Sequence, residues 1–177
     1  MMAQLIPQPE NTNFLQTTKF VLTFPRINNT QYFCQQVNMP GVSLPELVQN
    51  TPFVELYKPG NKIQYELFNV TFIVDEELRA WMELHDWIKG LTFPNDFTQY
   101  ENLRNLHPVA QNSPAPQYAD GTLTILSALN NPKLSLQFVD MFPTRLSSIM
   151  FNTTDENTTT ITAECSFRFS YYNVTRY

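Results

Sequence analysis

Between Lys19 and Val37 apolar side chains recur at every second position, in "KFVLTFPRI" and again in "QYFCQQV", with the polar "NNT" between them. Phe20, Leu22 and Phe24 fall on one face, the period-2 mark of a half-buried strand. The Asn-rich interruption predicts a turn that joins two strands into a hairpin. "NMPGVSLPEL" follows, and its prolines and glycine remove ladder donors, so the chain must turn or change sheets there. "VQNTPFVELYKPGNKIQYELFNVTFIV" then reads as two extended arms about "KPGNK", with Pro59-Gly60 suited to a type II turn. Phe68, Val70, Phe72 and Val74 close it as one apolar face. Either this pair lies wholly within one sheet or it projects as an arm, and Val54, Leu56 and Tyr57 carry more apolar surface than a solvated hairpin needs.

At Asp75 the period changes from 2 to 3.6. Asp75 can accept from an orphan N–H two or three residues on, and Glu76 and Glu77 suit the positive end of a helix. The expected helix spans 75–90. Leu78, Trp81, Met82, Leu84 and Ile88 form its packing face, Arg79, Glu83 and Asp86 lie opposite, and Gly90 supplies the stop. Trp87 sits at the margin of the stripe, open to a place at the core edge or against a neighbouring molecule. Residues 93–120 are Pro/Asn-rich and weakly periodic, a long excursion of the kind that faces a partner. Strands resume in "GTLTILSA", "LSLQFVDMF" and "TTTITAECSFRFSYY". The last of these places Ile161, Ala163, Cys165, Phe167, Phe169 and Tyr171 inward along one long strand. The pattern gives a mainly β fold, an antiparallel β-barrel or sandwich with one flanking α-helix. Its organisation is an N-terminal arm at 1–18 and a single domain at 19–177.

Composition narrows the function. Charged residues make up 15% of the 177-residue chain, well below the roughly 25% usual for soluble domains, which suggests a surface that meets other protein. The net charge is −5, and the 11 basic residues are scattered, so a nucleic-acid groove has no Lys/Arg cluster to displace counterions. The first twenty residues show neither the basic nor the apolar region of a signal peptide, and no window is apolar enough to insert in a membrane. Cys34 and Cys165 lie in strand patterns and read as reduced core thiols.

Catalytic chemistry finds no foothold. His85 and Asp86 are adjacent on a helix and are not expected to face each other. His107 has no second ligand nearby for a metal. With 4 glycines in the chain, Gly-rich phosphate cradles are excluded, and a helix start accounts for Asp75-Glu76-Glu77. The expectation is a protein that is not an enzyme, with no catalytic residues, metal or cofactor.

The order of "MPG", the "PF…PG" arm, "VDEELRAWMELHDWIKGL", "YADGTLTILSALNNPKLSLQFVDMFPTRLSSIMF" and "ITAECSFRFSYYNV" resembles the tail-tube protein family of contractile-tailed bacteriophages, over residues 19–174. The resemblance implies a β-barrel with one flanking helix, assembled as a hexameric ring. Stacked rings form a conduit through which DNA and a tape-measure protein pass without specific binding. It makes Phe53, Val54, Leu56, Tyr57, Pro59 and Gly60 an inter-subunit or inter-ring arm. Sheath or baseplate proteins are implied as partners, and a virion tail assembled in the host cytoplasm as the location. A wall that repels DNA needs carboxylates, and Glu66 and Glu164 are outward sheet positions suited to the lumen. The irregular 93–120 region exceeds what a plain tube subunit needs and points to a specialised position, such as a tube initiator or baseplate ring. A carbohydrate-binding β-sandwich is the competing reading of another class, with Trp and Tyr beside Asn stacking on sugars.

Overall fold

In the computed structural model, which describes residues 14–15, 17–92, 94–101, 117–153 and 160–177, the alternating segments become strands of one bent antiparallel sheet. The elements are β1 (Phe20–Thr23), α1 (Asn28–Tyr32), β2 (Cys34–Val37), β3 (Val42–Ser43), β4 (Glu46–Asn50), β5 (Glu55–Pro59), β6 (Gln64–Tyr65), β7 (Phe68–Ile73), α2 (Arg79–Thr92), β8 (Ala119–Leu126), β9 (Pro132–Leu146), β10 (Thr162–Arg168) and β11 (Tyr171–Arg176). The strand order is β1-β8-β9-β10-β7-β2, with β11 also on β9.

β9 belongs to both halves. Its first part lies between β8 and β11, and its second part pairs with β10. At Asp140 the register slips and the backbone is left-handed (φ 56°), a bulge that bends the strand. Aspartate tolerates that conformation better than most residues, and the Asp140 amide donates to Asp120 Oδ1 at 3.2 Å. The bend folds the halves together. Phe138 of one meets Phe68 of the other with ring centroids 4.7 Å apart, inside a core that also holds Leu22, Leu123, Leu136, Val70, Phe72, Ala163, Cys165 and Phe167. Gly121 lies where a Cβ would come within 2.8 Å of the Phe24 ring and 2.9 Å of Met141 Sδ, so any side chain there would displace core.

Two expectations about strands and one about the helix face are corrected. β1 and β2 are not a hairpin: "NNT" forms the start of α1, and β1 pairs with β8 while β2 pairs with β7. Glu83, assigned to the solvent side of its helix, instead accepts the amides of Asn29 at 3.2 Å and Thr30 at 3.3 Å, which satisfies otherwise orphaned helix donors. The long C-terminal strand is two strands. Ser170 N donates to Val139 O as the chain crosses from β10's half to β11's. The crossing flips the inward parity, so Phe169 and Tyr172 pack on the core and Tyr171 is 46% exposed.

The helix differs in its ends and its face. Glu76 and Glu77 form a turn, Leu78 takes φ 58°, and α2 begins at Arg79. The Asp75 carboxylate therefore reaches four and five residues on, to the amides of Arg79 (3.1 Å) and Ala80 (3.0 Å). Burial tends to raise its pKa, but those N–H donors outweigh it and hold the carboxyl below its ordinary value. Gly90 does not stop the helix. It is buried, and α2 runs on to Thr92. Ala80, Leu84 and Trp87 are the buried positions, while Met82 is 43% exposed, off the packing face assigned to it. Trp81 packs partly against the core and donates to Ser147 O, and Leu78 and Ile88 are half-buried.

Trp87 lies inward, 2% exposed, edge-on to Phe24 and beside Phe167. The Arg26 guanidinium sits 4.4 Å over its ring and donates to Tyr118 O. Burial lowers the Arg26 pKa to about 10, so the cation persists at neutral pH. Cys165 is buried and Cys34 half-buried, both as free thiols, and burial pushes Cys34 up to about 11. The 1–18 arm, apart from residues 14, 15, 17 and 18, lies outside the described residues, as does His107 in the Pro/Asn-rich region. The described part of that region includes a helical turn at residues 98–101 and the first residues of β8.

Candidate assembly surfaces

Between β2 and β7 the chain leaves the body as a long two-stranded ribbon. Asn38 fixes its root: the side chain accepts from Asn69 N at 2.6 Å and donates to Leu67 O at 2.9 Å, while its amide donates to Asn69 O. Above it, Glu66 N donates to Gly41 O and the Glu66 carboxylate accepts from Gly41 N at 3.2 Å. Tyr65 of the β3–β6 pair packs against Phe169 and Tyr172 of the body. The base is therefore tied to the core by polar and aromatic contacts.

Beyond the base the ribbon stands alone. β4 and β5 pair over five positions, from Glu46↔Pro59 to Asn50↔Glu55, about 17 Å of hairpin at a strand's rise per residue. Every residue of both strands is exposed. The hairpin turns at Thr51–Val54, where Thr51 N donates to Val54 O and Val54 N to Thr51 Oγ1. The expected turn at Pro59-Gly60 is not made. Pro59 ends β5, no glycine has a positive φ among the described residues, and Gly60 N donates to Pro45 O at 2.8 Å to close the hairpin's foot. A Cβ on Gly60 would lie 2.4 Å from that same oxygen, so the close approach, and not a left-handed turn, requires glycine.

Phe53 at the tip is 98% exposed, and Val54, Leu56 and Tyr57 are also exposed, as are Leu47 and Val48. Burying one such side chain is worth roughly 1.5–3 kcal/mol, so the hairpin presents several times that in unrealised contact. Leu47 and Val48 were not among the arm residues inferred from sequence. Their signal was there: "ELVQN" sets two adjacent apolar residues, Leu47 and Val48, in a short polar run between Pro45 and Pro52.

Glu164 lies on the exposed side of β10, between buried Ala163 and Cys165 and opposite Thr71 of β7. Its strand and β7 share that outward face with Arg168 and Asn69. Glu66 is also exposed but belongs to the ribbon's base, so the two glutamates sit on different elements.

Histidine behaves differently from the helix-spacing argument. His85 Nδ1 is 3.3 Å from Asp86 Oδ1, and the ring stacks on Trp81. Both side chains are exposed, which makes this a surface contact and no catalytic couple. Among the described residues no group of three His, Cys, Asp or Glu side chains can hold a metal, and no helix is long and apolar enough to cross a membrane. A hollow of about 400 Å³ lies on the outward face of β8, β9 and β11, lined by Asp120, Thr122, Gln137, Asp140, Tyr171 and Asn173 among others.

A family model described as phage tail tube protein matches residues 6–175. The tail tube terminator protein of Enterobacteria phage T4 is 29% identical over 169 residues, which are 92% of this chain and 89% of that protein. Among solved structures, the tube-terminating cap of the anti-feeding prophage superposes with a TM-score of 0.58 at 13% identity, over 99% of this chain and 100% of that one. A sheath/tube terminator of an extracellular contractile injection system, in its extended state, gives 0.55 at 15% identity, over 98% and 99%.

Proposed function

The chain belongs to the phage tail tube protein family and is a tail tube or tube terminator protein of a contractile phage-like system, and from that premise we propose that its copies form a ring at the end of the tail tube, through which DNA leaves. The observation that carries the ring is the ribbon: a rigidly rooted hairpin whose exposed apolar side chains reach beyond the body that made them. Such an arm fits a heterologous contact, one patch meeting a different patch on the next copy, and repeated rotation closes those contacts into a cycle. Phe53, Val54, Leu56 and Tyr57 are the side chains that seat there, with Pro59 and Gly60 holding the foot.

The terminal position is supported by the T4 relative, matched along nearly its whole length. In this reading the ring also meets sheath proteins, and the assembly belongs to the virion tail, built in the host cytoplasm. Glu164 faces the bore, where an array of carboxylates repels passing DNA within about a Debye length, near 8–10 Å. Glu66 stands at the rim, at the ribbon's base.

A second reading is a repeating tube subunit, which the apolar tip also favours, because stacked rings need an axial contact. Negative-stain microscopy of the purified protein separates the two. Single rings support the terminator, long tubes support the repeating subunit, and monomers at all concentrations would sink both.

A further inference from the structure

The free hairpin has two faces of opposite character. The register places Glu46, Val48 and Asn50 beside Pro59, Tyr57 and Glu55 on one face, and Leu47 and Gln49 beside Lys58 and Leu56 on the other. The first carries two carboxylates and no cation, and on it the Tyr57 hydroxyl donates to Glu55 Oε2 at 3.1 Å. The second carries one cation and no carboxylate, and Lys58 makes no ion pair among the described residues.

The body offers a counterpart on the β8-β9-β11 half. Two of its outward rows are Thr23–Thr122–Gln137–Asn173 and Val21–Thr124–Ser135–Thr175, uncharged across all four strands, with Ser135 buried between its neighbours. They end at the hollow, where Tyr171 supplies an apolar wall and Asp120 and Asp140 supply negative charge. Neither aspartate is in an ion pair among the described residues. Val21, Thr23, Gln137, Asn173 and Thr175 are exposed on this face.

We propose that the Leu47/Leu56/Lys58 face of the arm is the adhesive one, and that it docks on the β8-β9-β11 face of a second copy with Lys58 directed into the hollow beside Tyr171. The carboxylates of Glu46 and Glu55, on the other face, stay in solvent. The argument is charge complementarity on a chain of net charge −5: turning Glu46 and Glu55 toward another copy would set like charges together, whereas Lys58 meets carboxylates. Leu47 and Leu56 gain burial against the Tyr171 ring. The inference rests on the reading that copies assemble through the arm, and names the face and its mate.

The test uses the full chain and the protein concentration at which assembly begins, followed by sedimentation and microscopy. Lys58→Glu should raise that threshold roughly tenfold or more, and Glu55→Gln should leave it unchanged. Gln137→Lys puts a cation at the hollow without touching the Asp120–Asp140 bulge, and should raise the threshold likewise. Lys58→Glu combined with Gln137→Lys should recover most of the loss, because the charges are exchanged. Circular dichroism melts confirm that each variant is folded. Wild-type assembly with a normal Lys58→Glu threshold, or with no recovery in the double variant, overturns this docking face while leaving the ring intact. No assembly of the wild type removes the ring reading itself.

Discussion

Two residues on α2 and its approach hold the helix to the rest of the molecule by different physics. Trp87 has its indole N–H on Gln117 O at 3.3 Å, Arg26 over its face and Phe24 and Phe167 at its edges. Trp87→Ala removes all of these and leaves a cavity beneath a buried arginine, so unfolding in urea should show a loss of about 3–5 kcal/mol. Asp75 acts through its charge. Its folded pKa lies below its ordinary value, so its contribution is present above the unfolded pKa of about 3.9 and is lost as pH falls through the folded one. Asp75→Asn should therefore be less stable than the parent at pH 6, and the gap between the two melting curves should narrow as pH falls below about 4; a constant gap between them would mean that charge is not what Asp75 supplies. The sequence announced Asp75 as a cap but placed it one turn too early, because a left-handed Leu78 cannot be read from composition. Trp87 sat on the margin of the apolar stripe, and that stripe was drawn for a helix packed on one flat surface. Here the helix is also met by Phe24 and Arg26 from the β1–α1 connection, so the buried arc rotates to Ala80, Leu84 and Trp87 and leaves Met82 outside.

At the scale of elements, the ribbon makes the sharpest prediction because it shares no packing with the core beyond its base. Phe53→Ser with Tyr57→Ser should abolish assembly and leave the thermal melt of the isolated chain within about 1 °C, since surface substitutions away from structural features change stability little. Unchanged assembly would take the hairpin out of the interface. Projection of this segment was legible in Val54, Leu56 and Tyr57, whose exposure no solvated hairpin would need. Its turn was not. "KPGN" has stronger turn chemistry than "TPFV", yet the pairing of β4 with β5 over five positions outweighs local preference, and Pro59 fits at an edge where no donor is required. The same contest explains the N-terminal strands. Alternation showed that β1 and β2 exist, but period 2 carries no record of partners, and both strands find theirs far along the chain. The break between β10 and β11 was hidden for a related reason: "TAECSFRFSYY" alternates without interruption, and only the crossing between the two halves of the sheet reverses which side is inward.

For the whole molecule, the question is how a conduit wall treats a polyanion. One copy of Glu164 on β10 means little electrostatically, since a single exposed charge is screened within a Debye length. A ring changes that by bringing one carboxylate per copy around a common axis, where their fields add. Reversing the sign should turn repulsion into capture. Assembled Glu164→Lys particles are expected to retain double-stranded DNA at low salt, with log affinity falling linearly in log salt concentration as the contacted phosphates release their counterions. The same substitution placed on chains carrying Phe53→Ser and Tyr57→Ser, which do not assemble, should bind no better than the parent, because isolated lysines do not converge on one duplex. That pairing separates a position on the bore from one on the outside: an outward lysine would add to DNA binding equally in both backgrounds. Equal binding by assembled and unassembled forms would therefore take Glu164, and the β10–β7 face with it, off the channel wall.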